Sequence, residues 1–427
     1  MKLLIRNSRV IDPANKLDGI YDILAEDGKV GRVAKEMKAA ADKTIDAAGK
    51  IVMPGIVDMH THLREPGRED KETIASATLA ALKGGVTSLL AMPNTTPAID
   101  CAESADLLNS LLKKSAHANV FIAGTITKDR QGKELADIAK LRQKGAVAIS
   151  DDGASVDNEA LFFSALKKAK ANKILVICHS IDKSLAGDGV VNLGAISTRL
   201  GLRGISKESE YKRVQRDIAL AKKAGTSIHI AHLSCKESVE AVACAKKKGV
   251  KVTAETCPHY FTLSEEALLG FDTNFKINPP LRTQADVEAI KEGLKNGSID
   301  AIASDHAPHT ENEKDIEFDR AEFGTVGLET ELAVSISELI AGNRLTWSEL
   351  VEKLAFQPSR ILGIDKGALT PGKDADLIIV SPEKEWVVTK ESLVSKSKNS
   401  SFLGRKLKGV VEYTILAGKI VYEAHPH

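Results

Sequence analysis

The sequence predicts an α/β chain, a (β/α)8 barrel of the TIM type with a small β domain built from both termini. Three observations point there. From residue 51 onward, apolar runs of four to eight residues alternate with longer amphipathic stretches, the pattern of parallel strands covered by helices. Eight such runs occur, which favours a closed barrel over the alternative of an open, doubly wound sheet. Histidines and acids follow the runs repeatedly, as the carboxyl-end mouth of a barrel requires. The expected division is 1–52 and 366–427 for the small domain and 53–365 for the barrel.

Taken in order, residues 1–52 read as short strands and turns. Apolar segments at 3–5 and 10–11 precede DPAN at 12–15, a turn signal. Further strand candidates lie at 20–24, 29–33 and 44–47. The eight barrel strands fall at 51–59, 86–92, 119–125, 146–150, 174–178, 227–231, 251–256 and 301–304. Helical patterns lie between them at 72–83, 104–115, 133–143, 158–170, 207–223, 236–248 and 284–294. Within 207–223, for example, Val214, Ile218 and Ala221 recur at helical spacing. Helix exits share a device, with Gly84, Gly145, Gly225 and Gly249 each preceding a strand; glycine accepts the left-handed conformation that ends a helix. Helical segments at 331–339 and 347–356 lead to strand-like runs at 371–380, 410–416 and 420–422, which are expected to return and pair with the first fifty residues.

Composition narrows the function. Lys plus Arg number 59 against 58 for Asp plus Glu, so no basic excess suggests nucleic acid or an anionic membrane as partner. Five cysteines without a Cys-x-x-Cys fit buried thiols in a reducing compartment. The opening MKLLIR is too quickly polar for a signal peptide, and no apolar run nears the ~20 residues of a membrane span. A cytoplasmic protein is expected.

The chemistry collects at strand ends. In the apolar run 51–59 and its extension, residues two apart point the same way, so His60 and His62 share a face at the first strand's end. Neutral imidazole is a favoured zinc ligand. Arg64, two residues on, offers a fork of donors suited to a carboxylate. Asn94 follows the second strand, Asp151 and Asp152 the fourth, His179 the fifth, His232 the sixth and Asp305 the eighth. Each alone is an ordinary residue; together they form a constellation. Four histidines and two carboxylates exceed what one tetrahedral zinc needs, and suit two ions bridged by a carboxylate. Water acidified between the ions would attack a polarised carbonyl, and Asp305 could take its proton and hand it to a leaving nitrogen.

The stretches GIVDMHTHLREPG (55–67), AMPNT (91–95), ETCPHY (255–260) and SDHAPH (304–309) resemble the amidohydrolase superfamily and, within it, the bacterial type I dihydroorotase family. The resemblance covers essentially the whole chain. It implies the barrel, a small β-sandwich domain from the termini, and reversible closure of N-carbamoyl-L-aspartate to L-dihydroorotate in pyrimidine synthesis. Carried over, it makes His60, His62, Asp152, His179, His232 and Asp305 metal ligands and Asp305 the acid–base residue. His62, Arg64, Asn94, Asn278, His309 and the Phe323–Gly324 backbone match substrate-binding positions. Hydantoinases and dihydropyrimidinases bridge their metals with a carbamylated lysine after the fourth strand; SDDG at 150–153 has none, so Asp152 is the expected bridge and Asp151 lies outside. Two zinc ions per subunit, a small-molecule substrate, a homodimer and an association with aspartate transcarbamoylase are the implied cofactors and partners.

The remaining histidines are expected to be structural. His259 reads as a supporting group, His229 as facing away from His232, and His306 as orienting Asp305. His117, His425 and His427 read as surface positions, and Cys178 and Cys257 as buried thiols. The long polar segment from His309 to Gly324 is expected to fold over substrate.

Overall fold

The computed structural model describes residues 2–424; His425 and His427 lie outside the described residues. The N-terminal segment forms β1 (Lys2–Asp12), β2 (Leu17–Glu26), β3 (Lys29–Ala34), β4 (Lys43–Asp46) and β5 (Ile51–Pro54). The two apolar segments of β1 join into one strand through a register shift between Ile5 and Ser8. The DPAN turn is a 3-10 turn whose start is capped by the Asp12 carboxylate accepting from Ala14 N.

The barrel strands are β6 (Ile56–Thr61), β7 (Val86–Ala91), β8 (Asn119–Gly124), β9 (Ala146–Ile149) and β10 (Leu175–Cys178). After β11 (Val191–Asn192) and β12 (Gly204–Ile205), a small ribbon of their own, come β13 (Ile228–Ile230), β14 (Val252–Thr256) and β15 (Ala301–Ile302). The eight strands β6–β10 and β13–β15 pair in parallel sequence order, and a parallel bridge between Thr61 and His306 brings the last unit beside the first. Small and apolar side chains fill the interior, among them Val57, Met59, Leu90, Ala123, Ala148, Ile177, Ala231, Ala301 and Ala303. Leu362 packs against this core from the helix Gln357–Leu362. A second, larger apolar layer lies between strands and outer helices.

The tail adds β16 (Leu377–Val387), β17 (Lys406–Leu416) and β18 (Lys419–Glu423). β16 pairs antiparallel with β5, so the termini build one eight-stranded sheet, as the return of the tail required.

Two expectations are corrected. The strand expected at 51–59 divides at Gly55: its first half joins the terminal sheet and its second half the barrel. A Cβ at Gly55 would stand 2.1 Å from Thr87 Oγ1, so only glycine lets the chain pass there between the two sheets. The first barrel helix, Ile74–Gly84, ends one residue later than expected, with Gly85 in the left-handed conformation at φ 85°. A stretch not anticipated follows β10. Residues 181–206 carry two short helices, Lys183–Ala186 and Ala195–Leu200, around the small ribbon.

Candidate metal centre

The parallel strands aim their carboxyl ends at one mouth, and the expected ligands meet there. His60 Nε2 stands 3.2 Å from Asp152 Oδ1 and 3.6 Å from Asp305 Oδ1. His62 Nε2 stands 3.2 Å from Asp305 Oδ1 and 3.5 Å from Asp152 Oδ2. His179 Nδ1 and His232 Nε2 lie 3.4 and 3.9 Å from Asp152 Oδ1. Two ligand atoms each ~2.1 Å from a tetrahedral zinc sit about 3.4 Å apart. The separations scatter around that edge length.

The buried atoms themselves test the fit. His60 Nε2 and Asp152 Oδ1 make no hydrogen bond in spite of their 3.2 Å separation. Buried polar atoms without partners are costly, so atoms converging at this spacing without donor–acceptor alignment fit a cation between them. Asp152 lies within 3.2–3.9 Å of all four histidines, His60, His62, His179 and His232. Asp151 turns away and accepts from the amides of Ile126 and Thr127 at 2.8 and 3.0 Å.

Electrostatics follow the packing. Burial opposes charge on His60, yet Asp152 and Asp305 pull its pKa well above the ordinary histidine value. At His62 burial prevails, with Arg64 adding to it, and the pKa falls. Burial likewise opposes ionisation of Asp305, but His60 and His62 hold its carboxyl well below the usual range. Backbone strain collects here too. Arg64, His232 and Asp305 hold φ of 61°, 37° and 45°. Such left-handed non-glycine residues cost about 1–3 kcal/mol each and persist where surrounding structure enforces them.

Supporting groups orient the ligands. Glu255, on β14, accepts from His60 Nδ1 at 2.8 Å and pairs with His229 Nε2 at 3.1 Å. That bond places the proton on Nδ1 and leaves the Nε2 lone pair for a metal. Burial works against ionised Glu255, but His229 and His60 hold its pKa at about 2. Sequence reasoning assigned Glu255 no role; the available signal was an acid inside an otherwise buried strand. Asn94 Oδ1 sits 2.9 Å from His62 Nδ1 and does the same for that ring.

A cavity of about 260 Å³ opens over the cluster. Arg64, Asn94, Asn278, His309, Phe323 and Gly324, the remaining expected substrate residues, all line it. Asn278 Oδ1 is buried without a partner. Gly324 has φ 145°, and a Cβ there would meet Ala307 at 2.8 Å and His309 Cδ2 at 3.0 Å. The segment from His309 to Gly324 contains the short helix Glu311–Lys314. Lys314 staples it by donating to the carbonyls of Glu322 and Gly324 at 2.8 and 3.0 Å.

Other histidines sort themselves. His229 faces Glu255 and Thr253 and lies behind His60. His306 does not orient Asp305: its Nδ1 accepts from Gly327 N at 3.2 Å and its Nε2 faces Glu72 at 3.4 Å. The bridge to Thr61 and Thr325 turns its ring away from the mouth. His259 Nε2 is buried, unpartnered and grouped with Cys257 and Asp305 beside the site. His117 is exposed, and Cys178 and Cys257 are buried free thiols. Among the described residues no helix is long and apolar enough to cross a membrane.

Comparison with known proteins agrees with this geometry. A dihydro-orotase-like family model matches residues 49–238. The chain is 52% identical over 423 residues to the dihydroorotase of Elusimicrobium minutum, covering 99% of this chain and 98% of that one. It is 49% identical over 424 residues to the dihydroorotase of Geobacter metallireducens, covering 99% and 100%. Among solved structures, the L-hydantoinase (dihydropyrimidinase) from Arthrobacter aurescens has a TM-score of 0.90 over 99% of this chain and 96% of its own. At 24% identity, that likeness speaks for the fold. Identity near one half, sustained from end to end, speaks for more than fold, and this chain belongs to the dihydroorotase family.

Proposed function

We propose that the chain catalyses the reversible cyclisation of N-carbamoyl-L-aspartate to L-dihydroorotate, the third step of de novo pyrimidine synthesis. The observation that carries the reading is a wall of hydrogen-bond donors, the Arg64 guanidinium beside the His309 imidazole, facing a carboxylate–imidazole cluster across one small cavity. Dihydroorotate differs from neutral cyclic amides by its ring carboxylate, the natural partner of that wall. Hydantoin or dihydropyrimidine rings are the second reading; Arg64 and the absence of a lysine at 150–153 speak against them.

His60, His62, Asp305 and Asp152 would hold one zinc ion, and His179, His232 and the bridging Asp152 a second. Metal held there would supply polarisation of the substrate carbonyl and a lowered pKa for water. The rest falls to the chain. Arg64 and His309 take the α-carboxylate, while Asn94, Asn278 and the Phe323–Gly324 backbone fix the ring's polar edge. In hydrolysis Asp305 accepts the proton of the attacking water and delivers it to the departing amide nitrogen. In cyclisation it takes a proton from the attacking ureido nitrogen and returns it to the departing carboxylate oxygen, and a second proton from solvent completes the water. The 309–324 segment covers the bound substrate.

The chain is read as working in the cytoplasm as a homodimer that associates with aspartate transcarbamoylase. Sedimentation of the purified chain, alone and mixed with that enzyme, checks both partners. The activity is tested by following L-dihydroorotate, hydantoin and dihydrouracil before and after chelation. Hydrolysis of dihydroorotate, lost on chelation and restored by zinc, is expected. Turnover of the neutral rings without dihydroorotate would overturn the reading.

A further inference from the structure

His309 is wedged between two donors. Lys71 Nζ lies 3.0 Å from its Nδ1, and Arg64 Nη2 lies 3.3 Å from its Nε2. A neutral imidazole has one accepting nitrogen and one N–H, so it cannot accept from both. Lys71 is itself buried and fixed by Glu313 at 2.9 Å, a carboxylate that Arg68 also grips at 2.7 Å. Arg64 is anchored elsewhere, through Nε to the carbonyl of Pro308 at 3.1 Å. Burial, then Arg64, Lys71 and Lys314, push the His309 pKa well below its ordinary value, with Glu313 the opposing charge. The ring is therefore neutral, and its tautomer decides what it offers to a ligand.

The shorter contact, from the residue held by an ion pair, claims Nδ1. The ring proton then sits on Nε2, beside a guanidinium N–H, and two donors face each other on the cavity wall. Paired donors of this kind fit one carboxylate. The tight approach of Gly324 keeps the ring in place. We propose that Lys71 is a positioning residue: by donating to Nδ1 it locks His309 as the Nε2–H tautomer and so completes, with Arg64, the clamp on the substrate carboxylate. The clamp's ligand rests on the proposed function; the tautomer does not.

Two measurements decide. In metal-loaded protein labelled with 15N-histidine, with His309 assigned by comparison with His309→Asn, a protonated Nε2 and bare Nδ1 are expected; the reverse pattern overturns the proposal. In Lys71→Met, Glu313, whose Oε2 lies 3.6 Å from Nδ1, becomes the acceptor and flips the tautomer. Nε2 then turns a lone pair toward the carboxylate, and KM for dihydroorotate rises about tenfold or more, far beyond any fall in kcat. Lys71→Arg, which keeps a donor, restores KM. A wild-type KM in Lys71→Met, or a joint loss of KM and kcat that Lys71→Arg does not rescue, overturns the role. A wild-type enzyme inert toward dihydroorotate would refute the proposed function instead, with the tautomer still deciding on Lys71.

Discussion

At the scale of single residues, the site separates groups that react from groups that aim them. Asp305→Asn keeps the size of the side chain and removes its capacity to hold a proton. It is expected to lower kcat by about 100-fold or more, in the range of lost general acid–base catalysis, with the circular dichroism spectrum unchanged. Near-normal turnover would remove Asp305 from the acid–base role. Glu255→Gln tests aim. Without the carboxylate, His60 loses the partner that fixes its tautomer, and zinc affinity should fall about 10–100-fold by competitive chelation. The proposed ligands were legible in the sequence because each histidine or acid followed an apolar run. Glu255 and Lys71 were not, because their partners His60 and His309 lie 195 and 238 residues away. No local pattern distinguishes such an acid or lysine from one facing solvent.

At the scale of elements, the chain between β16 and β17 does not simply connect two strands. Within it, Asn399 ties together two loops that line the cavity. Its Oδ1 accepts from His309 N at 3.1 Å, while Nδ2 donates to the carbonyls of Ala307 and Gly324 at 3.2 and 3.1 Å. Asn399→Ala removes the partners of the His309 amide and the Ala307 carbonyl, while the Gly324 carbonyl keeps Lys314. It should cost about 1–3 kcal/mol in denaturant unfolding and raise KM more than it lowers kcat. Saturating dihydroorotate should also slow amide exchange across residues 309–324; unchanged exchange would refute their covering role. The strand–helix rhythm was readable because its period is local. The division at Gly55 was not, since a continuous apolar run looks alike whether it serves one sheet or two. The ribbon at 181–206 escaped notice because a buried cluster set by distant residues holds it. Arg282 donates to Asn192 Oδ1 and the Ile205 carbonyl at 2.8 and 3.0 Å, and pairs with Glu210.

At the scale of the whole molecule, a sheet drawn from both termini braces a barrel whose mouth concentrates buried histidines and carboxylates. That concentration sets a pH dependence. In the ion-free protein His60 has a raised pKa, so its proton stabilises the fold at low pH, and that contribution is lost as pH rises through the raised value. On the proposed function, a metal ion would take the place of that proton. Activity should therefore fall as pH drops toward about 6, and excess zinc should shift the fall to lower pH. Insensitivity to added zinc would mean that another group governs the profile. The claim on which the rest depends is that residues from five strand ends hold a two-ion centre around Asp152. Anomalous diffraction at the zinc edge, from crystals grown with zinc, tests it most directly. Two peaks should flank Asp152, one against His60, His62 and Asp305 and the other against His179 and His232; zinc bound elsewhere, with no peak beside Asp152, would contradict the account.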